Sequence, residues 1–265
     1  MSADRFVRIA AALSGGATLL IAGCSSGGNS PADAVRSAAK ATISASSVKE
    51  SVQAITPTAS GQSTTGASGA FNFAKKQGLF SVDTGVIGKL DTTIDGTNLY
   101  VHLPPALASQ IPGKKPWVKV DLTHPPTVPG IGNLGQLAVG ADPTTSLETY
   151  QYGVVAAKKI GPAKVQNDDT THYSATVDLN KAKAAAPKDE QAAIQSAIDV
   201  LGAPTQQIDL YVGANNRLRR VATLTSTGSA KGSTVTTDFT DYGTDVKVTI
   251  PAAGDTVDAA AIFGQ

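Results

Sequence analysis

Two short motifs in the chain have the residue types and spacing of known chemical sites. Residues 37–40, read as SAAK, match the S-x-x-K motif of penicillin-interacting enzymes, which places the hydroxyl of Ser37 one helical turn from the amine of Lys40. The companion motifs S-D-N and K-T-G are missing from the sequence. We therefore interpret the pair as the solvent-facing side of a helix.

The second motif is G-x-G-x-x-G at residues 130–135, which read GIGNLG. A dinucleotide site of this type needs a strand before the glycines and a helix after them, so that the helix N-terminus meets the pyrophosphate. Here three prolines precede the motif, and a glycine and an Asp-Pro pair follow soon after it. These breakers indicate an apolar loop and argue against a bound dinucleotide.

The histidines and the acidic residues do not form a predicted metal or catalytic site. His102, His124 and His172 lie far apart, without the short spacing that metal ligands show. Residues 167–169, read as NDD, lack the glycine and the distal glutamate of a calcium loop and fit a hairpin turn. Because no acid, base and nucleophile occur together, the sequence predicts a non-catalytic protein with no cofactor and no metal.

The single cysteine, Cys24, follows an apolar stretch over residues 9–23. With Arg5 and Arg8 before it, this stretch has the organisation of a secretion signal, and it is too short for a membrane span of roughly 20 residues. Residues 21–24, read as IAGC, resemble the bacterial lipobox, in which the cysteine receives a diacylglycerol and becomes the first residue after cleavage. The expected division is a signal peptide at 1–23, a lipidated flexible linker at 24–30 and a single domain at 31–265.

The residues after Cys24 argue against the alternative of a small buried thiol. Residues 25–30 read SSGGNS, a linker composition with nothing apolar to bury the sulfur. Two or three acyl chains on one residue satisfy the requirement that stable anchoring takes more than one chain. We expect an exported protein anchored to the outer leaflet of the cell membrane by the lipid on Cys24.

The composition argues against a nucleic-acid partner. Removal of residues 1–23 takes away two arginines and one aspartate, which leaves equal numbers of basic and acidic side chains. No basic block is present that would neutralise a phosphate backbone. Aromatic residues make up only 5% of the chain, so the core must be built from Val, Leu, Ile and Ala.

The hydrophobic periodicity predicts an α+β fold with an antiparallel sheet. Ser30 and Pro31 provide the start of a helix over residues 31–45, and further helices are expected from residue 143 and over 182–201. Between and after them, period-two patterns separated by turn residues predict strands, including a last strand through Val246, Val248 and Ile250. The total is about ten strands and three or four helices.

Several of these segments together resemble a family of actinobacterial envelope lipoproteins, the LppX, LprA, LprF and LprG group, over most of residues 31–258. The segments are the lipobox, the Ser30-Pro31 helix start, the hairpin at 94–103, the strand at 117–122, and residues 159–179 and 241–251. The resemblance implies a fold similar to the lipoprotein carriers LolA and LolB. In that fold, a strongly curved antiparallel half-barrel has helices over its concave face.

The resemblance also implies a function. Residues 31–265 would form a lipid-binding domain that holds an acylated lipid or lipoglycan in a hydrophobic cavity and carries or presents it within the cell envelope. The expected partners are this lipid, the membrane through acylated Cys24, and an envelope transport protein. The alternative is a non-catalytic lipoprotein with a filled core that acts as a protein-interaction or structural module.

Side-chain parity assigns the residues expected to line the cavity. They are Leu99, Val101, Val118, Val120, Leu210, Val212, Val246 and Val248 from strands, with Ile194 and Ile198 from a helix. The apolar loop is the expected gate for lipid entry, through Gly130, Gly132, Leu134, Gly135 and Leu137. Each lining residue fits an ordinary core position equally well.

Overall fold

The computed structural model describes residues 30–59, 61–83, 88–122, 127–128, 132–133, 143–225 and 231–263. Cys24, His124 and four of the expected gate residues, Gly130, Leu134, Gly135 and Leu137, lie outside the described residues. The fifth gate residue, Gly132, begins a two-residue strand. The lipidation and gating predictions therefore stay predictions.

Strands are the commonest secondary structure among the described residues. Their bounds are β1 Ser47–Thr58, β2 Gly61–Asn72, β3 Gln77–Asp83, β4 Lys89–Asp95, β5 Asn98–His102, β6 Trp117–Asp121, β7 Thr127–Val128, β8 Gly132–Asn133, β9 Val154–Val165, β10 Asp168–Asp178, β11 Thr205–Val212, β12 Leu218–Leu224, β13 Thr234–Thr240 and β14 Thr256–Asp258. Twelve of them form one curved, open sheet in the order β14-β6-β5-β4-β3-β2-β1-β13-β12-β11-β10-β9. The remaining strands, β7 and β8, pair with each other.

The sheet consists of two antiparallel meanders joined in the middle. Strands β1 to β6 form the first and β9 to β13 the second, and β1 pairs with β13 to connect them. The predicted hairpin at 94–103 is confirmed as part of β4 and β5, with Gly96 at its turn in the left-handed region (φ 59°) that favours glycine. Only β14 and β6 are parallel neighbours in the described sheet.

Helices form a second layer over one face of the sheet, which we call the inner face. Their bounds are α1 Pro31–Ile43, α2 Pro105–Ala108, α3 Pro143–Gly153, α4 Leu179–Ala185, α5 Lys188–Leu201 and α6 Ala259–Phe263. Helices α1 and α3 pack on the β9 to β12 half of the sheet, and α4 and α5 pack on α3. Among the described residues, no helix has both the length and the hydrophobicity needed to cross a bilayer.

Helix α1 begins as the sequence predicts. The hydroxyl of Ser30 accepts a hydrogen bond from the Asp33 amide at 3.1 Å, which caps the helix N-terminus. At the other end, the Thr42 hydroxyl accepts a hydrogen bond from the Leu218 amide at 3.0 Å, which ties α1 to β12. The buried side of α1 is made of small residues, Val35, Ala38 and Ala39, which allow the helix to lie close to the sheet.

A continuous apolar cluster lies between the inner face and the helices. Its largest fully buried side chains come from both layers, namely Phe71, Ile94, Leu99, Leu147, Leu179, Ile208 and Leu210. Apart from the aromatic residues of β2 and β3, this core consists mainly of aliphatic side chains, as the composition predicts. The period-two pattern of the sequence therefore arises because successive side chains of each strand point alternately into this cluster and to the outer face of the sheet.

The element counts differ from the prediction, and one predicted strand is wrong. The large sheet has twelve strands, and the described helices number six because short helices such as α2 and α6 carry little sequence signal. Residues 244–250, including Val246 and Val248, form no strand. Their alternating exposure persists, but β13 already has β1 and β12 as neighbours, so the chain that follows it has no adjacent edge to join.

We expect Gly69→Ala to destabilise the fold because no space exists for a methyl group at this position. A Cβ atom there would lie 2.0 Å from the Leu79 carbonyl oxygen and 2.6 Å from the Phe80 ring. Overpacking of this kind costs about 1–3 kcal/mol of unfolding free energy. Urea unfolding measures the loss, with Gly254→Ala as the control because its Cβ would meet nothing within 4 Å. Equal midpoints for the two variants would contradict the packing described here.

Candidate functional site

Most of the residues predicted to line a cavity share the inner face, as parity requires. Leu99 pairs with Val120, and Val101 pairs with Val118, across β5 and β6. All four are buried in the main apolar cluster, together with Leu210 of β11. Whether any of them contacts a ligand stays a prediction.

The other predicted lining residues are more dispersed. Val212 and Ile198 are half-buried against the main cluster, whereas Ile194 is buried in a second, smaller cluster with Ala182 and Ala186. Val246 and Val248 are half-buried in the segment that follows β13, where the structure has no strand. The structure therefore brings seven of the ten residues to one cluster.

The inner face also carries a row of half-buried small side chains that the sequence prediction did not include. Register places Thr237, Val52, Ala67 and Val82 directly opposite one another on β13, β1, β2 and β3. All four are half-buried, in contrast to the buried row beside them, and we call them the open row. Strands lie about 4.8 Å apart, so the open row is ~14 Å long.

The open row continues the core instead of standing apart from it. The adjacent row on the same face, two residues along each strand, contains Phe239, Glu50, Gly69 and Phe80, of which Phe239, Glu50 and Phe80 are buried. On the other side of the open row lie Val235, Ala54 and Thr65, which are half-buried. The inner face thus changes from buried to accessible along the length of β1, β2 and β13.

Sequence reasoning missed the open row for a physical reason. The alternation in β1 is interrupted by Glu50, a charged residue at an inner-face position between Val48 and Val52. In β2, the inner-face positions near the row are Ala67 and Gly69, which are too small to give a hydrophobic period. The available signal was the run of small residues at 63–70, which is unusual in a strand.

The boundary of the open row contains a buried polar group. Glu50 lies close enough to two tyrosines for its charge to act on both, Tyr150 of α3 and Tyr242 after β13. Burial, and to a lesser extent the charge of Glu50, raise the pKa of Tyr150 to about 12. Burial likewise raises the pKa of Tyr242, whose hydroxyl donates a hydrogen bond to the Leu218 carbonyl. Both phenols are neutral at physiological pH and act as hydrogen-bonding groups, not as bases.

An ion pair to a buried carboxylate joins the helices to the β2–β3 end of the sheet. The Nζ of Lys76, in the β2–β3 turn, lies 2.9 Å from Oε1 of Glu190 in α5. The hydroxyl of Thr145, in α3, donates a hydrogen bond to the other carboxylate oxygen of Glu190 at 2.7 Å. The Glu190 side chain is only 9% exposed, so this cluster joins three separate elements at one carboxylate.

We expect Glu190→Gln to lower the unfolding free energy by about 1–2 kcal/mol, because it removes a charge-assisted hydrogen bond at a buried site. The matched control is Asp241→Asn, which removes the carboxylate of the exposed Lys49–Asp241 ion pair. Exposed pairs of this kind contribute little to stability, because solvent screens them. Urea midpoints for both variants test the difference, and a larger loss for Asp241→Asn would show that the Glu190 cluster does not hold the helices.

The reactive motifs of the sequence form no catalytic arrangement in the described part of the chain. Ser37 accepts a hydrogen bond from Asn216 at 2.8 Å, and both Ser37 and Lys40 are exposed on α1. His102 packs against Trp117, and His172 stacks on Tyr211 while its ring nitrogen lies 2.9 Å from Asp209. No group of three or more His, Cys, Asp or Glu residues within the described ranges is placed to hold a metal ion.

A polar pocket of about 400 Å³ lies at one end of the β9–β10 hairpin, away from the predicted lining residues. Its walls are Asp168, Asp169, Ala214, Asn215, Arg217, Arg219 and Tyr242. The Arg217 guanidinium lies over the Tyr242 ring at 5.1 Å, and Arg219 forms an ion pair with Asp168. None of the ten predicted lining residues borders this pocket.

Comparison with solved structures identifies the fold. The lipoprotein LppX of Mycobacterium tuberculosis superposes with a TM-score of 0.50 at 12% identity, covering 82% of this chain and 97% of LppX. The chain has the LppX fold. LprF of Mycobacterium bovis also aligns, with a TM-score of 0.46 at 12% identity, over 85% of this chain and all of LprF. The resemblance noted in the sequence is thus confirmed at the level of the LppX fold.

Comparison of sequences adds one relative. An uncharacterized 31.2 kDa protein in the rplA–rplJ intergenic region of Streptomyces griseus is 36% identical over 113 residues, which is 41% of this chain. The match spans 36% of the length of that relative. No protein-family model matches the chain.

Proposed function

We propose that this protein is a non-catalytic, membrane-anchored lipoprotein that binds an acyl chain of a lipid or lipoglycan on the inner face of its sheet. In this proposal it carries or presents that lipid within the cell envelope. The observation that carries the proposal is the open row, an accessible line of small, mainly apolar side chains on the inner face of an LppX fold. The lipobox at residues 21–24 supplies the anchor.

The shape of the open row suits a hydrocarbon chain better than a polar ligand. Val52, Ala67 and Val82 offer only aliphatic surface, and Thr237 adds a methyl group beside its hydroxyl. The row beside it contributes two buried aromatic rings, Phe80 and Phe239, with Glu50 and Gly69 between them. A flexible alkyl chain can lie along such a row without a polar partner.

Burial of one acyl chain supplies a large part of the free energy that capture requires. Burying about fourteen methylenes gains ~11 kcal/mol at ~0.8 kcal/mol each, before ordering costs are subtracted. Micromolar binding requires a net ~8 kcal/mol. Because ordering costs take up several kcal/mol of the gross gain, a second acyl chain or contacts with the headgroup would add the remainder.

The packed core supports the alternative proposed from the sequence, a protein-interaction or structural module. Leu99, Val120 and Leu210 are fully buried side chains in one contiguous cluster and need no ligand to satisfy them. The two functions differ in one respect. A lipid carrier purified from a lipid-containing host retains bound lipid, whereas an interaction module with a filled core does not.

Solvent extraction followed by mass spectrometry tests the proposal. Residues 25–265, which lack the anchor, are produced in a lipid-containing host, purified without detergent and extracted with chloroform and methanol. An acylated lipid in near-stoichiometric amount supports the carrier. An extract free of lipid, from protein that also takes up none after incubation with vesicles, would contradict it and favour the interaction module.

A further inference from the structure

One edge of the sheet exposes apolar side chains next to lysines. Strand β9 is at the end of the sheet order and pairs with β10, and no described strand pairs with its other side. Val155 is 42% exposed and Ile160 is 51% exposed. Lys158 and Lys159, which lie between them, are exposed and form no ion pair with any described carboxylate. The stretch 155–160 therefore combines unburied aliphatic groups with uncompensated positive charge.

The two exposed apolar residues occupy the irregular positions of the strand. The register between β9 and β10 shifts twice, and the two residues that have no partner on β10 are Val155 and Ile160. A bulge locally disrupts the ladder and re-aims a side chain. Together with Pro162, which has no amide hydrogen to donate, the two bulges make β9 a poor template for another β-strand.

The anchor would hold this same edge close to the membrane. The guanidinium of Arg36, on α1, donates a hydrogen bond to the Val154 carbonyl at the start of β9. Ser30 precedes Arg36 by ~9 Å of helix, and a linker of the flexible type expected from the composition of residues 24–30 would have a root-mean-square reach of ~13 Å. Strand β9 itself extends ~20 Å from Val154 to Ile160. The helix segment and the linker together would span ~22 Å, which is comparable with this length of β9, so the anchor would keep the strand within reach of the bilayer.

We infer that strand β9 is the membrane-docking edge of the domain. Val155 and Ile160 insert at the headgroup level of an anionic bilayer, and Lys158 and Lys159 bind its phosphates. This inference rests on the lipid anchor of the proposed function, which supplies the proximity. Apolar side chains beside lysines are the combination that interfacial segments use, because burial of the aliphatic groups and attraction to anionic lipids add together. Docking would fix the orientation of the sheet relative to the lipid source.

A single-cysteine labelling experiment on the full, membrane-anchored chain tests the inference. Because Cys24 is the only cysteine and is acylated in this account, Ile160→Cys introduces a single free thiol for an environment-sensitive dye. The matched control is Leu79→Cys on β3, where Leu79 is 37% exposed and lies seven strand spacings, ~34 Å, from β9. The chain is reconstituted into vesicles of equal parts phosphatidylglycerol and phosphatidylcholine that contain a spin-labelled quencher lipid, and into vesicles without phosphatidylglycerol.

We expect quenching at position 160 to exceed quenching at position 79 severalfold, and to fall when phosphatidylglycerol is omitted. Lys158→Gln and Lys159→Gln should each lower the equilibrium constant for docking roughly fivefold. Equal quenching at positions 160 and 79, in protein whose Cys24 is acylated, would overturn the docking inference and leave the lipid anchor standing. So would a dye signal at 160 that rises with protein concentration and not with anionic lipid, since that indicates pairing with a second copy. An intact mass showing unmodified Cys24 would overturn the anchor and this inference together.

Discussion

Replacing Ala67 with tryptophan should reduce the capture of acylated lipid by about tenfold or more, because the indole would occupy the space above the open row. Ala67 is in the middle of the row, directly opposite Val52 and Val82. Overpacking of an apolar site typically costs about 1–3 kcal/mol, and 1.4 kcal/mol corresponds to a factor of ten in affinity. Because Ala67 is only half-buried, the larger side chain can be accommodated without unfolding the sheet.

The matched control is Ala70→Trp on the same strand. Ala70 has the same residue type and is also half-buried, but it pairs with Lys49 and Leu79 on the outer face. The affinity of each variant, made as the anchor-free chain, is measured with a phospholipid that carries a fluorophore on its acyl chain. Urea unfolding confirms that each variant is folded. Loss of binding in both variants, or in neither, would remove the open row from the account.

Replacing Cys24 with alanine should release the protein from the membrane fraction almost completely. Two or three acyl chains, at ~0.8 kcal/mol for each buried methylene, contribute more than any surface contact of the domain. Fractionation of cells expressing the full chain, followed by an alkaline wash, measures the change. The control is Ser25→Ala, which leaves the lipobox cysteine in place.

Retention of the Cys24→Ala protein after the alkaline wash would contradict the lipid anchor. Retention of an uncleaved signal peptide would mimic this result, so the intact mass of the retained protein distinguishes the two. The intact mass of the unsubstituted protein gives a second test. If that mass equals residues 24–265 without any lipid, the lipid anchor is also contradicted.

The elements of this fold were predictable where local chemistry decides them. The Ser30 cap, the turn glycine Gly96 and the alternation of valines at 118 and 120 each specify a local conformation without help from distant residues. The residues after β13 show the limit of this reasoning. Val246 and Val248 alternate like a strand, but the edges of the neighbouring strands are already occupied, and only the topology reveals that.

The candidate site was only partly predictable for a related reason. Parity correctly placed Leu99, Val101, Val118 and Val120 on one face, yet it could not separate the buried part of that face from the accessible part. That distinction depends on how far the helices extend over the sheet. The open row lies on strands with weak hydrophobic periods, since Ala67 is small and Glu50 interrupts β1.

Photo-crosslinking with a phospholipid that carries a diazirine in its acyl chain tests the central claim most directly. After irradiation of the loaded, anchor-free chain, peptide fragmentation assigns each adduct to a residue of β1, β2 or β13. We predict adducts at inner-face positions such as Val52, Ala67 and Val235, and few at the neighbouring outer-face positions Ser51, Ser68 and Thr236. Adducts spread evenly over both faces, or confined to the outer face, would contradict the claim that this sheet holds an acyl chain on its inner side.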